Sequence, residues 1–148
     1  MCRERGIDSQ VVFAGFRDDM PRIVPNLDLV VHPAAMEGLG VSLLQAAAAG
    51  VPIVACRAGG IPEAVRSGIN GVLVDPGHIP ELAREIQGLL RNPGQMTALG
   101  AGGKQLVQAE FSVDAMVDGN LAVYRAIVGR QRWPAGPSGA KPSAGCDQ

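Results

Sequence analysis

The residues with the greatest capacity for chemistry stand together: Met36, Glu37, Gly38, Leu39, Gly40, Val41, Ser42, Leu43, Leu44 and Gln45. Gly38 and Gly40 have no Cβ, so a ligand can approach their backbone N–H groups closely. Both precede a predicted helix, whose first N–H groups are unpaired and carry partial positive charge. Such a turn is an anion site, and a diphosphate suits it. Ser42, in the first helical turn, adds a hydroxyl. Glu37 brings a carboxylate that would repel a phosphate, so hydroxyl groups attached to that phosphate are its natural partners, and those of a sugar fit. Gln45 follows Val41 by four residues, one turn on and on roughly the same side. Taken singly, the glycines are ordinary loop residues, Glu37 a solvated acid, Ser42 a helix-start hydroxyl and Gln45 a surface amide. Their combination behind an apolar strand carries the reading. His32, between that strand and Pro33, reads as a packed or capping histidine rather than a base.

The elements that must position this run alternate between strand and helix. Apolar runs at residues 11–14, 27–31, 52–56 and 71–74 are bounded by Gly and Pro and read as strands covered on both faces. Helical patterns fall at residues 18–24, 40–49, 62–66 and from Pro80 to about Asn92, where Leu82, Ile86 and Leu89 share a face. Gly50 is placed to cap the second of these at its C-terminus. A helix is expected over residues 95–110 despite Gly100, Gly102 and Gly103. Another carries the stripe Val113, Met116, Val117, Leu121, Tyr124 and Val128, with Ser112 as its cap. The fold class is therefore α/β, a Rossmann-like parallel sheet flanked by helices. In such sheets ligands bind at the carboxyl ends of the strands, which selects the loops at residues 15–19, 32–40 and 57–63. Residues 130–148, with Pro134, Pro137 and Pro142 among glycines and small residues, read as a disordered tail. Residues 1–129 form the domain.

Composition narrows the function. The chain has 148 residues, a formal net charge of −1 and scattered basic residues, which disfavours nucleic acid and anionic membranes as partners. Cys2, Cys56 and Cys146 form no CxxC pair, so neither a disulfide framework nor a metal site is expected, and the compartment reads as reducing and cytoplasmic. The first residues show no apolar secretion signal, and no stretch approaches the ~20 apolar residues that cross a bilayer.

Several linked motifs resemble the C-terminal domain of retaining glycosyltransferases of the GT-B fold, in the large group 1 (family 4) set. They are Phe13-Ala14-Gly15-Phe16, then Pro33-Ala34-Ala35-Met36-Glu37-Gly38-Leu39-Gly40, then Gln45 through the alanines to Gly50-Val51-Pro52-Ile53-Val54-Ala55. Gly59-Gly60-Ile61-Pro62-Glu63 and Asn70-Gly71-Val72-Leu73-Val74-Asp75-Pro76 follow in the same order. The resemblance covers about residues 9–128. It implies a hexosyltransferase-like enzyme that moves a sugar from a UDP- or GDP-sugar to an acceptor with retention, and that uses no further cofactor. It implies that Glu37 is the catalytic acid that binds donor-sugar hydroxyls, and that Gly38, Leu39, Gly40 and Val41 supply the backbone that meets the diphosphate and sugar, beside the Ser42 hydroxyl. Gly15, Phe16 and Arg17 frame the base, and position 45 holds the ribose.

Two departures qualify that implication. Position 45 is Gln where the family has Glu, so one acceptor oxygen replaces a carboxylate. The weaker hydrogen bonding costs about 1 kcal/mol, or roughly fivefold in affinity. Ala34, where the family often has Ser, removes another polar contact. The acceptor-binding domain is not among these residues, nor is the Arg/Lys pair that neutralises the leaving diphosphate; Arg3 and Arg5 lie outside that motif. The expectation is a chain inactive alone, needing an N-terminal domain or partner chain. The alternative is a non-catalytic or relic nucleotide-sugar-binding module. A dinucleotide-binding oxidoreductase is disfavoured because Leu43 stands where the third Gly or Ala of its fingerprint belongs, even though Arg57 imitates an NADP reader. A P-loop is excluded because no Gly-Lys-Ser/Thr occurs.

Overall fold

The computed structural model describes residues 1–130. The described residues fall into two compact units, residues 1–109 and 110–130. The proposed tail lies, apart from Arg130, outside the described residues.

In the first unit, two short 3-10 turns at Arg3–Arg5 and Asp8–Gln10 lead to α1 (Met20–Ile23) and a third turn at Val24–Asn26. Next come β1 (Val30–His32), α2 (Val41–Ala49), β2 (Ile53–Cys56), α3 (Ile61–Ala64), β3 (Gly71–Val74), α4 (Ile79–Leu90) and α5 (Pro93–Glu110). The sheet runs β1-β2-β3 and is entirely parallel, with Val30 opposite Ile53 and Ile53 opposite Gly71. Because side chains alternate along a strand, β2 feeds two cores. Ile53 and Ala55 pack with Leu43, Ala46, Ala47, Ile61, Ala64 and Val65 on one face. Val54 packs with Val74, Leu82, Leu89 and Leu99 on the other. Every residue of β2 is buried, as the expected two-sided cover requires.

The expected strand at residues 11–14 does not form. Val11 has extended backbone (φ −116°, ψ 123°), but the segment pairs with no strand of the sheet. β-Branched and aromatic residues favour a pleated surface only where a neighbouring strand and a covered face exist. Here Val12 and Phe13 are 88% and 83% exposed. The strand expected from residue 27 is shorter, beginning at Val30, because Val24–Asn26 turns first and Leu27 N–H donates to the Val24 carbonyl.

The glycines of α5 explain why that helix forms despite them. A Cβ at Gly100 or Gly102 would overlap the backbone carbonyl oxygens of Gly50 and Ile69, and one at Gly103 would stand 3.0 Å from that of Ala47. The helix therefore lies directly on neighbouring backbone. Asn92 caps it, accepting from the Gln95 N–H at 3.1 Å. In the second unit, α6 (Val113–Arg130) begins as expected: Ser112 Oγ accepts from the Ala115 N–H at 3.1 Å.

Candidate functional site

The site lies where β1 ends. His32 closes the strand, the chain loops through residues 33–40, and α2 departs at Val41. Gly40 holds the junction at φ 73°, ψ 59°, a left-handed conformation that costs other residues energy. Its carbonyl accepts from the Leu43 N–H at 2.8 Å, which starts the helix. No side chain caps this end, and no acidic residue sits in the first turn. Gly38, Leu39, Val41 and Ser42 are exposed around it. At the other end Gly50 (φ 80°) donates to the Ala46 and Ala47 carbonyls as the expected cap.

Glu37 is half-buried and held twice. Its Oε1 accepts from the Gly38 N–H at 3.0 Å. Its Oε2 lies 3.2 Å from His32 Nε2. The two atoms are close but not hydrogen-bonded, and the shielded Nε2 has no hydrogen-bond partner. His32, read from sequence as a packed histidine, is thus the immediate neighbour of the candidate acid. The link was hidden because four loop residues separate them along the chain.

The remaining predicted residues are less closely assembled. Gln45 is exposed and lines a mainly apolar groove of about 200 Å³ with Met20, Pro21, Val24, Pro25, Ala48 and Ala49. Gly15 turns at φ 63° and Phe16 is 96% exposed. Arg17 makes a fork-to-fork pair with Asp19, Nε to Oδ1 at 2.7 Å and a terminal nitrogen to Oδ2 at 2.6 Å. The hydrogen bond from Arg17 holds the Asp19 carboxyl below its ordinary value, and the pair raises the Arg17 guanidinium. No hydrogen bond or ion pair among the described residues joins residues 15–17 to residues 37–42. Arg57, at the end of β2, pairs with Asp75 at 3.4 Å. No group of three or more His, Cys, Asp or Glu among the described residues is arranged to hold a metal.

Two features escaped the sequence reading. Gly59 and Gly60 press against the backbone of Glu37 and Gly38, and Gly60 N–H donates to the Gly38 carbonyl at 2.8 Å. Asn70, fully buried, donates from Nδ2 to the Ala64 carbonyl at 2.8 Å and accepts at Oδ1 from the Arg66 N–H at 2.7 Å. The motifs containing these residues were visible, but their roles depend on which loops the sheet brings together.

The family model of the group 1 glycosyl transferases matches residues 1–92. The chain belongs to this family. Among relatives of this group 1 chain, the D-inositol 3-phosphate glycosyltransferase of Mycobacterium marinum is 38% identical over 132 residues, covering 87% of this chain and 28% of that protein. The Anabaena protein Alr3699/HepE, solved in complex with UDP, is 29% identical with a TM-score of 0.76, covering 86% of this chain and 35% of that one. The same Anabaena protein has been solved with UDP-glucose. The C-terminal domain of a group 1 protein, LpcC of Francisella tularensis, is 28% identical with a TM-score of 0.69, covering 76% of this chain and 59% of that one. The group 1 chain thus matches the C-terminal half of the GT-B fold. It spans about a third of the length of full relatives such as these. No helix among its described residues is long and apolar enough to cross a membrane.

Proposed function

We propose that this chain is the donor-binding part of a retaining glycosyltransferase, taking a UDP- or GDP-sugar. The observation that carries the reading is the uncapped N-terminus of α2, entered through Gly38 and Gly40 with the Glu37 carboxylate beside it. In this reading the N–H groups from Gly38 to Ser42 receive the diphosphate, Glu37 exchanges its contact with Gly38 for sugar hydroxyls, and Gln45 receives the ribose. Gly15, Phe16 and Arg17 frame the base. The UDP and UDP-glucose complexes of the Anabaena protein support this choice of ligand. The buried free thiol of Cys56 suits the reducing, cytoplasmic setting proposed for it.

Transfer needs fixed cations at the leaving diphosphate and a wall for the acceptor. An N-terminal domain or partner chain supplies them in this reading, and exposed Val12 and Phe13 favour a segment that completes the sheet. Titration calorimetry of the 148-residue chain with UDP, GDP and UDP-glucose tests the donor reading. The expected result is binding, with Glu37→Ala weakening UDP-glucose about tenfold or more, from ~1.5–3 kcal/mol per hydrogen bond to a charged group. Absence of binding to all three nucleotides would overturn it. Incubation with UDP-glucose and candidate acceptors is expected to give no transfer by the chain alone, and clear turnover would refute the need for a second part. Donor binding that never yields transfer, even with the N-terminal half of a relative added, would favour the non-catalytic module.

A further inference from the structure

We infer that Gly59 and Gly60 are positioning residues for the donor turn, holding Glu37 and Gly38 by direct backbone contact; this rests on the donor-site reading above. Gly60 N–H donates to the Gly38 carbonyl at 2.8 Å. A Cβ on Gly60 would overlap that same oxygen, and a Cβ on Gly59 would overlap the carbonyl oxygen of Glu37. Neither neighbour is a flexible side chain, so the turn itself must move if a methyl group is added.

The contacts reach the chemistry through two successive peptide units, Gly59 at the Glu37 carbonyl and Gly60 at the Gly38 carbonyl. The Gly38 N–H holds Oε1 of Glu37 and also begins the series of N–H groups that leads into α2. Displacing the Glu37–Gly38 backbone therefore moves the carboxylate and the anion turn together. On its other side the Gly59-Gly60 loop is anchored in the core. Ile61 is fully buried and donates from its N–H to the carbonyl of Ala58, itself 8% exposed. The loop after β2 thus meets the loop after β1 through backbone atoms, with no flexible side chain between them.

Gly60→Ala isolates the effect, because φ −83°, ψ 1° is a turn conformation that alanine adopts and only the contact is disturbed. Gly68→Ala is the control for general destabilisation: its φ of 80° strains alanine, but nothing lies within 4 Å of the added methyl. Two readouts are made on the full chain. The first is exchange of the amides of this turn that have acceptors, Gly38 (to Glu37 Oε1) and Leu43 and Leu44 (to the Gly40 carbonyl), with the β2 amides as an internal reference. In Gly60→Ala it should quicken about tenfold or more, as expected for lost local structure, while Gly68→Ala leaves it unchanged. The second is the ratio of UDP-glucose to UDP affinity by calorimetry, which only groups facing the sugar alter. It should fall in Gly60→Ala to the value of Glu37→Ala and stay at the wild-type value in Gly68→Ala.

Unchanged exchange of the Gly38, Leu43 and Leu44 amides in a folded Gly60→Ala overturns the inference, as does an unchanged affinity ratio. If Gly60→Ala does not fold, the Gly60 amide of the wild type decides: protection like that of the β2 amides supports the brace, and exchange at the unfolded rate overturns it. If the wild type binds neither UDP nor UDP-glucose, the donor reading fails, while the exchange measurement still decides whether the brace exists.

Discussion

Asn70→Ala removes the side chain that fastens the loop between α3 and β3. Asn70 is fully buried, and its amide satisfies two backbone groups at once, the Ala64 carbonyl and the Arg66 N–H. Alanine leaves both without this partner. The buried Ala64 carbonyl, so stranded, costs ~1–3 kcal/mol; the Arg66 N–H is only part-buried and adds less, so the two together cost about 2–3 kcal/mol. Against a domain stability of ~5–15 kcal/mol that is a large fraction. Asn70→Asp separates the two bonds. One oxygen can still accept from the Arg66 N–H, but the other then faces the Ala64 carbonyl, to which an ionised carboxylate donates nothing. Burial and that carbonyl both favour the neutral form, so the introduced carboxyl has a folded-state pKa above the unfolded value of ~3.9. The folded state then binds the proton more tightly. The Asn70→Asp deficit is smallest below about pH 4 and grows as pH rises through the folded-state value. Urea denaturation of wild type and both variants at pH 4 and pH 7 measures this. A loss under ~1 kcal/mol in Asn70→Ala, or a pH-independent deficit in Asn70→Asp, refutes the assignment.

Gln45→Glu restores a carboxylate where the ribose is proposed to bind, and UDP affinity by calorimetry should rise about fivefold. The Asp19 carboxyl, held down by Arg17, should titrate below ordinary aspartate in an NMR pH series and move upward in Arg17→Ala. Its contribution to stability is present above its unfolded value and disappears as pH falls through the folded one. Ser112→Ala should destabilise the start of α6 by about 1 kcal/mol, seen as faster amide exchange near Ala115.

What the sequence disclosed and what it withheld have separate physical causes. The run from Glu37 to Gln45 was legible because a helix start, two glycines and a carboxylate are local features. So were Gly50 and Ser112, whose capping bonds stay within a turn or two. The segment Val11 to Ala14 has strand composition, but composition does not supply the neighbour that a ladder needs. The approach of His32 to Glu37, the contact of Gly60 with Gly38 and the two bonds of Asn70 all depend on the course of loops in three dimensions. Gly100, Gly102 and Gly103 looked like a defect in a helix because only the fold reveals the carbonyls they avoid.

Those three glycines also bear on how freely this chain can vary. Where Leu82 meets Val54, bulk lost from one partner can be regained from the other, and a lineage can wander through many pairings. Where Gly100 meets the oxygen of Gly50, no such trade exists, since a carbonyl comes in one size. The seam between α5 and the loops after α2 and before β3 is therefore closed to gradual change: sequences may diverge around it, but they cannot drift across it one substitution at a time.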